Sequence, residues 1–228
     1  MFKNLSKAAW LAMALGSSIA LMAASASAEL FEGCPSKPIL GKFIEFGKTG
    51  KMPPDLGKWL NTPAAQKVEP WKPFDNVEYV GICWVSAWLI KTDDGSVLID
   101  TLYGPFTKQL IENLKSTGVD FADIKYVFIT HGHFDHVAGA AALKPLLPNA
   151  KFVMTQKGWE EAQESAANSK GRRAWKMIPT DVVAKDGDMF EVGDNTIRVY
   201  ETPGHTWGTA SYTYDVKDGD EKYRAVTI

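Results

Sequence analysis

The spacing of apolar and polar positions changes character several times along the chain. Ala8 to Ala24 is an apolar run without a charge, preceded by Lys3 and Lys7 and followed by Ala26-Ser27-Ala28. A short basic start, an apolar stretch and small residues at −3 and −1 form the pattern of a signal peptide cut after residue 28. The competing reading is a membrane anchor, but Gly16-Ser17-Ser18 breaks the run and the small-residue site follows directly. Residues 29–76 show no sustained period. They are rich in Lys, Pro and Trp, with Pro53-Pro54, Pro63, Pro70 and Pro73, and are expected to form an irregular arm packed on the domain that follows.

From Val77 onward the pattern becomes regular and marks one domain over residues 77–228. Val77–Cys83 and Trp84–Lys91 read as strand, and Asp93-Asp94-Gly95 as a tight turn into a buried strand at Ser96–Asp100. Thr107–Ser116 places Leu110, Ile111 and Leu114 on one helical face, closed by Gly118. Ile124–Thr130 is a continuous apolar strand. A helix over Val137–Leu147, a strand at Lys151–Thr155 and a polar-faced helix at Trp159–Asn168 follow. After a Lys/Arg-rich loop the chain turns to strand at Met189–Val192, Thr196–Glu201, Thr209–Val216 and Lys222–Ile228, separated by Gly- and Asp-bearing turns. Strands interleaved with helices, then a run of hairpins, predict an α+β fold of two packed sheets with helices outside. Ile228 falls in the middle of an apolar strand with no turn after it, so the sequence is expected to be C-terminally truncated.

Composition narrows this picture. The chain has 228 residues, 45% hydrophobic and 23% charged, which excludes collagen-like, coiled-coil and largely disordered proteins. Net charge is −2, without a basic stripe, which speaks against a nucleic-acid partner. Removing the first 28 residues leaves 200 and takes away two lysines, so the mature chain is more acidic still. An exported, periplasmic protein, free of the membrane once its leader is cleaved and acting as a monomer, is the expectation. Cys34 and Cys83 either close one disulfide or remain separate thiols, and the sequence leaves both open.

Three of the four histidines lie within six residues, in Thr130-His131-Gly132-His133-Phe134-Asp135-His136. The fourth, His205, sits in Thr202-Pro203-Gly204-His205-Thr206. Neutral imidazole and carboxylate are the ligand set that suits zinc. In a loop leaving a buried strand, His131 and His133 turn towards one point, while Asp135 and His136 turn towards a neighbouring one. Gly132 is expected to let the backbone bend tightly between two ligands. Five candidate donors around two centres favour a catalytic metal over a closed structural one.

Together with Val97-Leu98-Ile99-Asp100-Thr101 upstream, these motifs resemble the metallo-β-lactamase-fold hydrolases over roughly Val77 to the end. Within them the chain looks most like the third subclass of the class B (zinc) β-lactamases. The leader, the segment Glu69-Pro70-Trp71-Lys72-Pro73-Phe74 and the lead-in Tyr79-Val80-Gly81 fit that subclass too. The resemblance implies a four-layer αββα sandwich with two zinc ions along one edge of the sheets. His131, His133 and His205 would hold the first zinc, and Asp135 and His136 the second. Asp100 would hold the loop from behind, and Thr130 and Gly132 would shape it without touching metal. A hydroxide shared by the two ions would open an amide carbonyl, with Asp135 orienting it.

The chain departs from the family pattern in three places. The family's further histidine on the second zinc would lie beyond Ile228. Asp100-Thr101-Leu102 stands where the family has Asp-Thr-Gly, and Trp207 where it has Pro. Trp207 is either a substrate-lining residue at the rim or packing under the loop. The substrate is expected to be a small molecule, a β-lactam first and a lactone or other ester second, since the same fold also serves thioesters, sulfate esters and phosphodiesters. His133 argues against a redox di-iron relative, whose equivalent position tends to be acidic. The reading from another class is a non-catalytic zinc-binding fragment. Lys170-Gly171-Arg172-Arg173 reads as a solvated loop, with attraction of a substrate carboxylate as the alternative reading.

Overall fold

The structure is a computed structural model that describes Cys34, residues 36–171 and residues 174–228. The expected leader, residues 1–28, and the Arg172-Arg173 pair lie outside the described residues. Two compact units meet at Leu56 and Gly57. The first carries helix α1 (Ser36–Thr49), and within it Lys42 pairs with Asp55. Helices α2 (Pro54–Leu60) and α3 (Pro63–Gln66) follow. The expectation of an irregular arm over 29–76 is therefore corrected. Pro54 and Pro63 stand at the first position of a helix, where the missing N–H costs nothing and the fixed φ helps. Both Cys34 and Cys83 are disulfide-bonded.

The second unit contains two sheets. The larger has seven strands in chain order: β1 (Trp71–Phe74), β2 (Val77–Tyr79), β3 (Trp88–Thr92), β4 (Gly95–Ile99), β5 (Ile124–Phe128), β6 (Lys151–Thr155) and β7 (Val182–Ala184). Strands β1 to β4 run antiparallel, and β4 to β7 parallel. Helices fill the parallel crossovers: α4 (Gly104–Ser116), the short α5 (Phe134–Val137) and α6 (Ala140–Leu143), and α7 (Gln156–Asn168). The smaller sheet is an antiparallel meander of β8 (Met189–Val192), β9 (Asn195–Glu201), β10 (Ala210–Asp218) and β11 (Glu221–Thr227), ordered β11-β10-β9-β8.

The apolar strands are continuous because both their faces are buried. Leu98 of β4 and Phe152 and Met154 of β6 point into a core shared with Phe106, Leu110, Leu114 and Trp159 of the helices. Their alternate neighbours Val97, Ile99 and Val153 enter a second core, between the sheets, with Ile197, Val199, Tyr212 and Val216. Among the described residues the layers therefore run helix, sheet, sheet. The outer face of the small sheet carries Arg198 stacked on Tyr200, the guanidinium 5.1 Å from the ring centroid. Asn76 ties the two sheets at one end. Its amide donates to the Asp215 carbonyl at 3.0 Å and its oxygen accepts from Lys217 N–H at 2.8 Å.

The Val137–Leu147 helix is instead two short pieces. Gly139 N–H donates to the Leu102 carbonyl at 2.8 Å rather than up its own helix, and a Cβ at Gly139 would lie 2.1 Å from the Thr101 oxygen. Strand β7 and the first strand, β1, are additions to the elements the sequence predicts. Among the described residues no helix is long and apolar enough to cross a membrane.

Candidate metal centre

The His131–His136 loop leaves the C-terminal end of β5, and Asp100 lies just past the C-terminal end of the adjacent parallel strand β4. This is the edge at which open parallel sheets form their crevices. His205 comes from the β9–β10 loop of the other sheet. That loop is closed at its base by Thr202 N–H to the Thr209 carbonyl at 2.9 Å. It is fastened to the first sheet by Ala210 N–H to the Thr130 carbonyl at 2.8 Å and by Tyr212 O–H to the Ile129 carbonyl at 2.7 Å. One ring nitrogen each from His131, His133 and His205 fall within 4.8 Å of one another. His133 Nδ1 and His205 Nε2 are 3.0 Å apart.

Behind the imidazoles, the hydrogen bonds fix where the protons sit. Asp100 accepts from Thr130 N–H at 2.8 Å, from the Thr130 hydroxyl at 3.0 and 3.1 Å, and from His136 Nδ1–H at 2.7 Å. With its one proton given to Asp100, the Thr130 hydroxyl accepts from His131 Nδ1–H at 3.0 Å. Both histidines are thereby set as the tautomer whose Nε2 carries a free lone pair. His131 Nε2 is a buried nitrogen without a hydrogen-bond partner, which is the cost an ion at this point would remove. His136 Nε2 lies 3.6 Å from Asp135 Oδ2, and the His136 ring centroid is 4.1 Å from that of His131. Asp135 and His136 thus lie beside the three-imidazole cluster.

The titration of these rings follows from their surroundings. Burial first, then repulsion by His136, His133 and His205, pulls the His131 pKa down to about 3. Burial and His205 also lower that of His133, against opposition from Asp135 and Glu161. For His136 burial is again the largest influence and acts downward, but the charge and hydrogen bond of Asp100, with Asp135, outweigh it and raise the pKa.

Gly132 has its place for a reason other than bending. Its φ is not in the left-handed region, but a Cβ there would sit 2.8 Å from Ala162 N and 2.9 Å from Glu161 Cβ of α7. The residue leaves room for a helix. Left-handed backbone occurs instead at Asp100 (φ 64°) and Leu102 (φ 55°). Leu102, in the position of the family's glycine, carries a backbone cost of about 1–2 kcal/mol. It offsets this by burying its whole side chain, a gain of about 1.5–3 kcal/mol.

Trp207 is 79% exposed and stands at the lip of an open cavity of about 750 Å³, which His133, His205, Glu161, Glu164 and Ser165 also line. Of the two readings of Trp207, packing under the loop does not describe it. Two residues of the site carry no sequence signal. Glu161 is one of several glutamates on a polar-faced helix, and Thr155 reads only as the end of a strand. Yet Glu161 accepts from Trp207 N–H and Gly208 N–H, and Thr155 donates to the Gly208 carbonyl.

Residues 80–218 match the family model described as the metallo-β-lactamase superfamily. The solved subclass B3 metallo-β-lactamase of Bradyrhizobium japonicum superposes with a TM-score of 0.65 at 31% identity, covering 72% of this chain and 62% of that one. The native metallo-β-lactamase of Legionella gormanii gives a TM-score of 0.65 at 28% identity, covering 72% and 64%. Among curated proteins, the anaerobic nitric oxide reductase flavorubredoxin of Salmonella typhi is 29% identical over 134 residues, 58% of this chain. The chain spans 26% of that relative's length. The two-sheet architecture and the histidine cluster at its edge agree with the family match: the chain belongs to the metallo-β-lactamase superfamily.

Proposed function

We propose that the protein is a zinc-dependent hydrolase that opens the amide ring of β-lactams. The observation that carries the metal is the buried, unpartnered Nε2 of His131, facing His133 and His205 in a donor set of three imidazoles. His131, His133 and His205 would hold a first zinc, and Asp135 and His136 a second. Zinc there supplies a Lewis acid and water activated near neutral pH.

The chain's own residues do the rest. Asp100 and Thr130 keep the Nδ1 protons of His136 and His131 on the far side of the rings, so both Nε2 atoms stay available. Asp135 holds a proton of the attacking water at its carboxylate and orients the oxygen towards the carbonyl carbon. As the new C–O bond forms and the ring C–N bond breaks, the ring nitrogen takes up that proton. Trp207, at the lip of the open cavity, lies against the substrate. The likeness to subclass B3 enzymes supports the lactam, and the leader pattern of residues 1–28 supports action in the periplasm, where this activity confers antibiotic resistance. His133 within the three-imidazole set favours hydrolysis over redox chemistry of the kind that the nitric oxide reductase relatives are named for.

The test is hydrolysis of nitrocefin and a carbapenem by the full-length gene product, with EDTA and with zinc restored. Turnover should vanish on chelation, return with zinc, and fall by about a hundredfold or more in His133→Ala. No lactam turnover from a protein holding two zinc ions would move the assignment to a lactone or other ester, assayed in parallel. No turnover with at most one zinc would mean that the chain is not a working enzyme.

A further inference from the structure

We propose that Glu161 is a positioning residue that locks the two metal-binding loops to each other through helix α7. The Glu161 carboxylate accepts two consecutive backbone N–H groups of the His205 loop, Trp207 at 3.0 Å on Oε1 and Gly208 at 3.1 Å on Oε2. Paired bonds to an ionised acceptor fix orientation as well as distance. On its other side the same helical turn touches the His131–His136 loop, since a Cβ on Gly132 would fall 2.9 Å from Glu161 Cβ and 2.8 Å from Ala162 N. The start of the helix repeats the arrangement. Thr155 caps α7 by accepting from Gly158 N–H at 3.0 Å and donates to the Gly208 carbonyl at 2.9 Å. Gly208 and Gly158 approach so closely that a Cβ on Gly208 would lie 2.3 Å from Gly158 N.

His205 and the His131–His133 pair come from different sheets, and neither loop is stiffened by a strand where its ligands lie. Helix α7 is the body against which both are registered, and Glu161, with the cap residue Thr155, makes its polar contacts with the His205 loop. The proposal rests on the reading of His131, His133 and His205 as zinc ligands. It concerns zinc retention rather than the identity of the substrate.

The experiment compares full-length wild type, Glu161→Ala, Glu161→Gln and the control Glu160→Gln. The control removes the same charge one residue away, where the side chain pairs with Lys157 instead. Two quantities are read: zinc affinity by competition with a chelator, and hydrogen exchange of the Trp207 and Gly208 amides in metal-free protein. Glu161→Ala should weaken zinc binding by about tenfold or more and speed exchange of both amides. Glu161→Gln, left with a single acceptor oxygen, should lie between, and Glu160→Gln should match wild type. Unchanged exchange and affinity in Glu161→Ala would overturn the proposal, as would an equal loss in Glu160→Gln, which would show a general charge effect. If Glu161→Ala does not fold, the near-isosteric Glu161→Gln decides by the same two readings. Wild type that binds no zinc would sink the hydrolase reading, while amide exchange would still judge the clamp.

Discussion

Asp100 concentrates more of the site's chemistry than any candidate donor does, because it decides which imidazole nitrogens carry hydrogen. It is 1% exposed and accepts from Thr130 twice and from His136 once. Asp100→Asn keeps the size but turns one acceptor into an N–H₂ donor. Facing His136, that donor makes Nδ1 the acceptor and moves the ring proton to Nε2, away from the tautomer that binds a cation. Zinc affinity at the Asp135–His136 position should fall by about ten- to a hundredfold, read by titration of metal-free protein, with folding retained. An unchanged second binding step would remove the tautomer argument. At this scale the sequence shows the donors well, because imidazoles packed into six residues are visible whatever surrounds them. It does not show why Gly132 is glycine, since the reason is a helix that starts 24 positions later in the chain.

Helix α7 and the two loops it touches behave as one element, packed at glycines for want of room. Gly208→Ala would drive a methyl group into the backbone of Gly158 and Lys157, at 2.3 to 2.7 Å. A loss of about 1–3 kcal/mol or more is expected, as for other overpacked sites, together with weaker zinc retention. Gly204→Ala, four positions from it in the same loop, meets nothing within 4 Å and has no left-handed φ, so its stability should stay within about 0.5 kcal/mol of wild type. Thermal melting of the pair checks both, and equal effects would contradict the packing argument. Strands with both faces buried are legible from their apolar runs; β6 has the predicted bounds Lys151–Thr155. What stayed hidden is set by tertiary contact: the break at Gly139, and the helices that begin at Pro54 and Pro63 where proline reads as a breaker.

The whole molecule registers the site through its response to acid. His131 is neutral when folded down to about pH 3, whereas in the unfolded chain it takes a proton near its ordinary value of about 6.5. Between those values the unfolded state binds more protons, so metal-free protein loses stability as pH falls through the window. His136 works the other way. Its raised pKa gives stability that is complete below about 6.5 and disappears as pH rises through the folded value. Chelated protein should therefore melt at steadily lower temperature from about pH 6.5 towards 3. His131→Asn, which keeps an N–H toward Thr130, should flatten that fall; an unaltered slope would show that the buried ring is not its cause. The two-sheet architecture with helices outside was readable from the order of periodic segments. The registration of one sheet on the other, through residues such as Asn76 and Tyr212, was not, because single polar groups in loops and strands have no periodic signature.

The cluster draws its nitrogens from positions 72 residues apart, and this gives the protein an order of assembly. A contact across so long a loop must overcome a large closure entropy, and the hairpins and crossovers on either side form first. His131, His133 and their neighbours offer a nascent chain only a partial set of donors. His205 arrives when the meander docks on the larger sheet. Capture of a metal ion by all three imidazoles would thus come last in maturation, and an occupied centre would certify that both sheets have met.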